Sequence, residues 1–72
     1  MHYENRKIKS IIVDDEVAVR TVLNNSLEKM EEIEVVGQAS NIQEAVKQIH
    51  KFQPDLVFLD IEMPGFSGLQ LI

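Results

Sequence analysis

Three short apolar runs, separated by two segments of helical periodicity, constrain this chain more than any other feature. Ile11-Ile12-Val13, within KIKSIIVDD, is a β-branched run closed by Asp14 and Asp15, the pattern of a short buried strand. In EVAVRTVLNNSLEKM the period changes. Val19, Val22, Leu23, Leu27 and Met30 recur at steps of three and four, which is one face of a helix. Arg20, Asn24 and Glu28 fall toward the other side, and Asp15 is placed to cap the first turn. IEVVGQA, residues 33–39, is a second β-rich run that Gly37 weakens. SNIQEAVKQIHKF opens on capping-box spacing, Ser40 with Gln43 or Asn41 with Glu44, and Ile42, Ala45, Val46 and Ile49 continue it as an apolar stripe. Pro54 stops this helix and pushes Gln53 toward extended geometry. DLVFLD, residues 55–60, is the third strand. IEMPGFSG is loop chemistry, with Pro64, Gly65 and Gly68 as punctuation, and the spacing from Phe66 to Ile72 begins a third helix.

The order is βαβαβ plus a stub. Continuous apolar strands joined by amphipathic helices predict a parallel sheet covered on both faces, with right-handed crossovers and strand order 2-1-3. The chain is one α/β unit over residues 1–72.

Composition excludes several classes of function. The net charge of −5 argues against direct nucleic-acid binding, which needs clustered Lys and Arg. Arg6, Lys7 and Lys9 are expected to be solvated charges flanking a strand. There are no cysteines, hence no disulfide framework. No run approaches the roughly 20 apolar residues of a membrane span, and the N-terminus lacks an apolar signal core, so a cytoplasmic address is expected. His2 and His50 have no mutual spacing that suggests a metal site.

In open α/β sheets ligands sit beyond the C-terminal strand ends, where strand order reverses. In order 2-1-3 that switch lies between the first and third strands. Asp14 and Asp15 end the first, and Asp60 ends the third, so topology alone gathers three carboxylates. Two unit charges about 4 Å apart repel by roughly 4 kcal/mol at an effective dielectric near 20. A bound proton offsets this. A divalent cation does so better, and an all-oxygen site suits Mg2+. A carboxylate beside such a metal can act as a nucleophile toward phosphorus. Each Asp taken alone reads as a turn, cap or strand-end residue, and only the joint pattern points to a site.

On IIVDDE and PDLVFLDIEMPGFSGLQLI together, the sequence resembles the N-terminal part of a response-regulator receiver domain, the phosphoacceptor of two-component signalling. The resemblance runs from about Lys7 to Ile72. It implies a flavodoxin-like fold in which Asp60 is the phosphorylated aspartate. By the same resemblance Asp15 coordinates Mg2+ directly, Asp14 holds the metal through water or supports it, and Glu62 lends its backbone carbonyl. Pro64 and Gly68 shape the loop and the next helix, while Glu16 need not be a ligand. The implied partner is a sensor histidine kinase as phosphodonor. VDDE and MPGFSGLQL are similar to regulators whose receivers precede a LytTR-type DNA-binding output domain, which is not present in this chain.

A receiver has five strands, and these residues supply three. The family's hydroxyl residue ending the fourth strand, and the Lys and aromatic residue of the fifth, fall outside. The expectation is therefore a partial receiver whose third strand, interior in the whole domain, becomes an apolar edge at Leu56, Val57, Phe58 and Leu59. Such edges invite pairing with another chain, so self-association through this strand is expected. Two alternatives stand beside the phosphoacceptor reading. One is an inert half-domain that self-associates. The other is a phosphohydrolase of the haloacid-dehalogenase type, whose D-x-D pattern on the first strand is not met by Asp14-Asp15-Glu16.

Overall fold

The structure is a computed structural model and describes residues 6–59. Strand β1 (Ile8–Val13), helix α1 (Val17–Glu28), strand β2 (Ile33–Ala39), helix α2 (Ile42–Phe52) and strand β3 (Leu56–Leu59) follow in that order. The sheet is parallel, with order β2-β1-β3. This is the expected topology, with β1 in the centre. The expected third helix lies outside the described residues.

The centre of β1 is the core. Ile11, Ile12 and Val13 are at most 1% exposed. Successive strand residues face opposite ways. Ile11 and Val13 pack with Ala39 of β2 and Ala45 of α2, supported by Val36 and Ile42. Ile12 has the opposite parity and shares an apolar crevice with Leu23 of α1 and Phe58 of β3. A run buried on both faces has no reason to alternate, which is why IIV is continuous.

β1 begins three residues before its apolar run, a length its polar start conceals. Ile8 donates its backbone N–H to the Glu32 carbonyl at 2.7 Å. Ser10 is fully buried, and its hydroxyl donates to the Glu34 carbonyl at 3.1 Å, so this polar group is satisfied inside the sheet. β3 begins one residue later than expected, because Asp55 acts as a clasp before it. Its backbone N–H donates to the Lys9 carbonyl at 2.8 Å, and its Oδ2 accepts from the Lys9 N–H at 3.0 Å.

Gly37 does not interrupt β2. The β1–β2 register shifts there, pairing Ser10 with Val35 and Ile11 with Gly37, so Val36 is an extra residue, as in a β-bulge. A Cβ on Gly37 would overlap Gln48 Oε1 and come within 3.3 Å of the Phe52 ring. The absent side chain lets α2 lie close on the sheet, where Gln48 donates to the Gln38 carbonyl at 2.5 Å.

The helix ends correct three expectations. Glu16 is the N-cap of α1, with no side-chain cap bond. Asp15 does not cap it. Asp14 Oδ1 instead accepts the Glu16 N–H at 2.9 Å, because an Asp reaches a backbone N–H two residues on within a tight turn. At α2 the Asn41 option holds: its side chain accepts from the Glu44 N–H at 2.8 Å. The Ser40–Gln43 option does not, since Glu44 Oε1 takes the Ser40 N–H and hydroxyl, each at 2.8 Å. Gln53 is not extended. It sits in the left-handed region at φ 48°, ψ 60°, and its N–H donates to the Ile49 carbonyl at 2.8 Å. Closing the helix carbonyls with a left-handed cap outweighs the preference imposed by Pro54.

Helix burial is narrower than the periodicity implied. On α1 only Leu27 is fully buried, whereas Val19 and Val22 are exposed, as is Met30 beyond its end. Arg20, expected on the outer side, is half-buried. On α2 Ala45 is buried, while Val46 and Ile49 are exposed. Both helices pack on β1 and β2. Among the described residues no third helix or fourth strand covers the remaining apolar faces.

Candidate functional site

The C-terminal ends of the strands converge. Val13, the last residue of β1, pairs with Ala39 on one side and Leu59 on the other. The ladder continues one bond further, since Asp14 N–H donates to the Ala39 carbonyl at 3.0 Å. Asp14 is therefore held as the next position of the central strand and is buried, at 7% exposure. Asp15 and Glu16 are exposed. The crevice lined by Ile12, Leu23, Phe58 and Leu59 opens beside Asp14.

One carboxylate oxygen from each of Asp14, Asp15 and Glu16 lies within 4.8 Å of the others. Glu16 was not expected in this group. Its place next to the acidic pair was the one signal available, and the tight turn held by Asp14 Oδ1 folds it back. Among the described residues the ion pair is between Arg6 and Asp55, at 4.0 Å. It lies at the opposite end of the sheet, beside the first residues of β1. Arg20 approaches the acidic turn but donates to the backbone carbonyl of Asp14, at 2.5 Å. The three carboxylates thus face one another without a cationic side chain in contact among the described residues.

This donor set fits a hard divalent cation. It is entirely carboxylate oxygen, one member is buried and fixed by the Glu16 N–H, and two are open to solvent. Mg2+ favours such a mixture of a few carboxylates and retained waters. Asp60 and Glu62 lie outside the described residues. In sequence Asp60 directly follows Leu59, the partner of Val13, just as Asp14 directly follows Val13. His50 is exposed in the last turn of α2, a favourable place for a cation. Arg6, Lys7 and Lys9 are exposed, as expected.

Residues 11–72 match the family model described as the response regulator receiver domain. The transcriptional regulatory protein BtsR of Escherichia coli strain K12 is 46% identical over 65 residues, covering 90% of this chain and 27% of that protein. A protein-glutamate methylesterase/protein-glutamine glutaminase of Trichodesmium erythraeum is 46% identical over 66 residues, covering 92% of this chain and 19% of that protein. The chain therefore spans well under half of these curated relatives. Among solved structures, the response regulator domain of Thermotoga maritima CheB superposes with a TM-score of 0.80 at 36% identity. That alignment covers 88% of this chain and 47% of the other.

Proposed function

The chain belongs to the response regulator receiver domain family, and from that membership we propose that it is a phosphoacceptor module of two-component signalling, modified on Asp60. The observation that carries the reading is the parallel pairing of β1 with β3, which sets Val13 opposite Leu59. Each of these residues is followed directly by an aspartate, and the first of them, Asp14, is buried at the strand end.

In this reading an oxygen of Asp60 attacks the phosphorus of a phosphohistidine on a sensor histidine kinase. The new O–P bond forms as the P–N bond breaks, and the departing imidazole takes up a proton. Such a transfer depends mainly on positioning and on charge compensation. Asp15 would hold Mg2+ directly, Asp14 through water or as a support, with Asp60 and the Glu62 carbonyl completing the set. When bound, the metal supplies compensation for the phosphoryl oxygens. The chain's own part is to fix Asp14 in the β ladder and keep Asp15 open to solvent.

The module is a switch and not an enzyme. Where a relative is named as a methylesterase, the catalytic part is assigned to the portion this chain does not align with. BtsR is named as a transcriptional regulator, and by analogy a DNA-binding output domain outside these residues is the proposed effector. A cytoplasmic address agrees with this role. Among the described residues no helix is long and apolar enough to cross a membrane.

Intact mass tests the proposal. The chain is incubated with a small acyl-phosphate donor and Mg2+, beside an Asp60→Asn variant and a chelator control. The expected result is a gain of one phosphoryl group that both controls abolish. A folded chain that gains nothing overturns the proposal and leaves an inert, self-associating half-domain, a reading favoured by the exposed residues of β3.

A further inference from the structure

We propose that Arg20 is the positioning residue of the acidic site: its guanidinium, bonded to the Asp14 carbonyl, fixes the turn that presents the carboxylates to a divalent cation. The inference rests on the Mg2+ reading above and names a residue on which that site depends.

Arg20 lies in the first turn of α1, and its N–H donates to the Glu16 carbonyl at 3.1 Å. Its side chain turns back along the helix toward the preceding loop, as long helical side chains do, and one guanidinium nitrogen reaches the Asp14 carbonyl at 2.5 Å. The Asp14 peptide is thereby held at three points. The N–H donates to Ala39, the carbonyl accepts from Arg20, and the side chain accepts from Glu16. The Arg20 charge also acts on Glu44 at the start of α2. One half-buried side chain thus braces the loop after β1.

The choice of acceptor carries the argument. Three carboxylates lie in the turn Arg20 touches, and a guanidinium pairs best with a carboxylate through two parallel bonds. Arg20 bonds a backbone carbonyl instead and is within ion-pair distance of none of the three. It contributes geometry without occupying the donors. Partners of this kind, one shell out from a metal, typically alter affinity by 10- to 100-fold.

Two effects of removing Arg20 have opposite signs. As a nearby positive charge it repels a cation, so electrostatics alone predicts tighter Mg2+ binding without it. As a brace it orders the donors, so its loss predicts weaker binding. The test is a Mg2+ titration of the chain and of Arg20→Ala, followed by NMR at the Glu16 amide, with far-UV circular dichroism as the check on folding. The expected result is a dissociation constant raised roughly tenfold with helix content kept, and faster exchange of the Glu16 amide without metal. Unchanged or tighter binding in the variant overturns the inference while leaving the Mg2+ site standing. Failure of the unmodified chain to saturate with Mg2+ overturns the site itself and this inference with it. If Arg20→Ala does not fold, Arg20→Gln decides by the same sign, since it also removes the charge and the long reach.

Discussion

At the scale of single residues, Gln53 shows most plainly how local rules compete. A non-glycine residue in the left-handed region costs about 1–2 kcal/mol, yet Gln53 stands at φ 48° to close α2. Glycine adopts this conformation without a Cβ penalty, against an entropic cost of roughly 0.5–1 kcal/mol in the unfolded chain. Gln53→Gly is therefore expected to stabilise the fold by about 0.5–1 kcal/mol. It should raise the urea midpoint with an unchanged slope. A lower midpoint would count against the left-handed cap. Residue-level detail of this kind was only partly legible in the sequence. Pro54 announced the end of α2, but not that the cap would fall on a glutamine. The acidic pair was legible as a site, whereas the division of labour within it was not. Asp14 rather than Asp15 bonds the backbone at the N-cap of α1, through the Glu16 N–H, and Arg20 turns inward although its helical position pointed outward. Both depend on where a side chain meets backbone atoms, which residue spacing does not encode.

Elements were more legible than their constituents. β2 runs over Ile33–Ala39 as the sequence implied, because turns and helix signals bound it on both sides. β1 was underestimated, since Lys9 and Ser10 look like flanking residues until Ser10 finds the Glu34 carbonyl. The start of α2 was readable as a capping box, and its electrostatics yield a prediction. Hydrogen bonds from the Ser40 backbone N–H and then its hydroxyl hold the Glu44 carboxyl below its ordinary value of 4.5, with smaller help from Arg20 and Lys47. The folded-state pKa thus lies below the unfolded one. The stabilisation is fully present above about pH 4.5 and is lost as pH falls through the folded value. Glu44→Gln is expected to flatten the acid limb of a stability-against-pH curve and leave its shape above pH 5 unchanged. An identical acid limb in the variant would show that Glu44 keeps no such contact in solution.

For the whole molecule, topology was readable and burial was not. Strand order followed from right-handed crossovers taken together with a sheet covered on both faces, and with it the meeting of β1 and β3 at the acidic end. Periodicity marks a helix face as apolar without saying whether anything covers it. Val19 and Val22 on α1, Val46 and Ile49 on α2, and Leu56, Val57 and Leu59 on β3 all remain exposed among the described residues. A chain of this length buries only about 60% of its unfolded surface, so uncovered apolar area is a large part of what it can gain. β3 is the place to gain it, because among the described residues its ladder is filled on the β1 side alone. Val57 pairs with Ile11, and Leu59 with Val13, so both face the α2 side of the sheet along that edge. A second copy adding a strand there would satisfy backbone groups and cover these side chains together, whereas a charge on an edge strand opposes such pairing. The chain is therefore expected to sediment with a mass that rises with concentration, and Val57→Lys to shift it toward the monomer with the helix signal retained. A single monomeric species across the concentration range, for the unmodified chain, would show that the uncovered faces are tolerated in water and that β3 does not act as an interface.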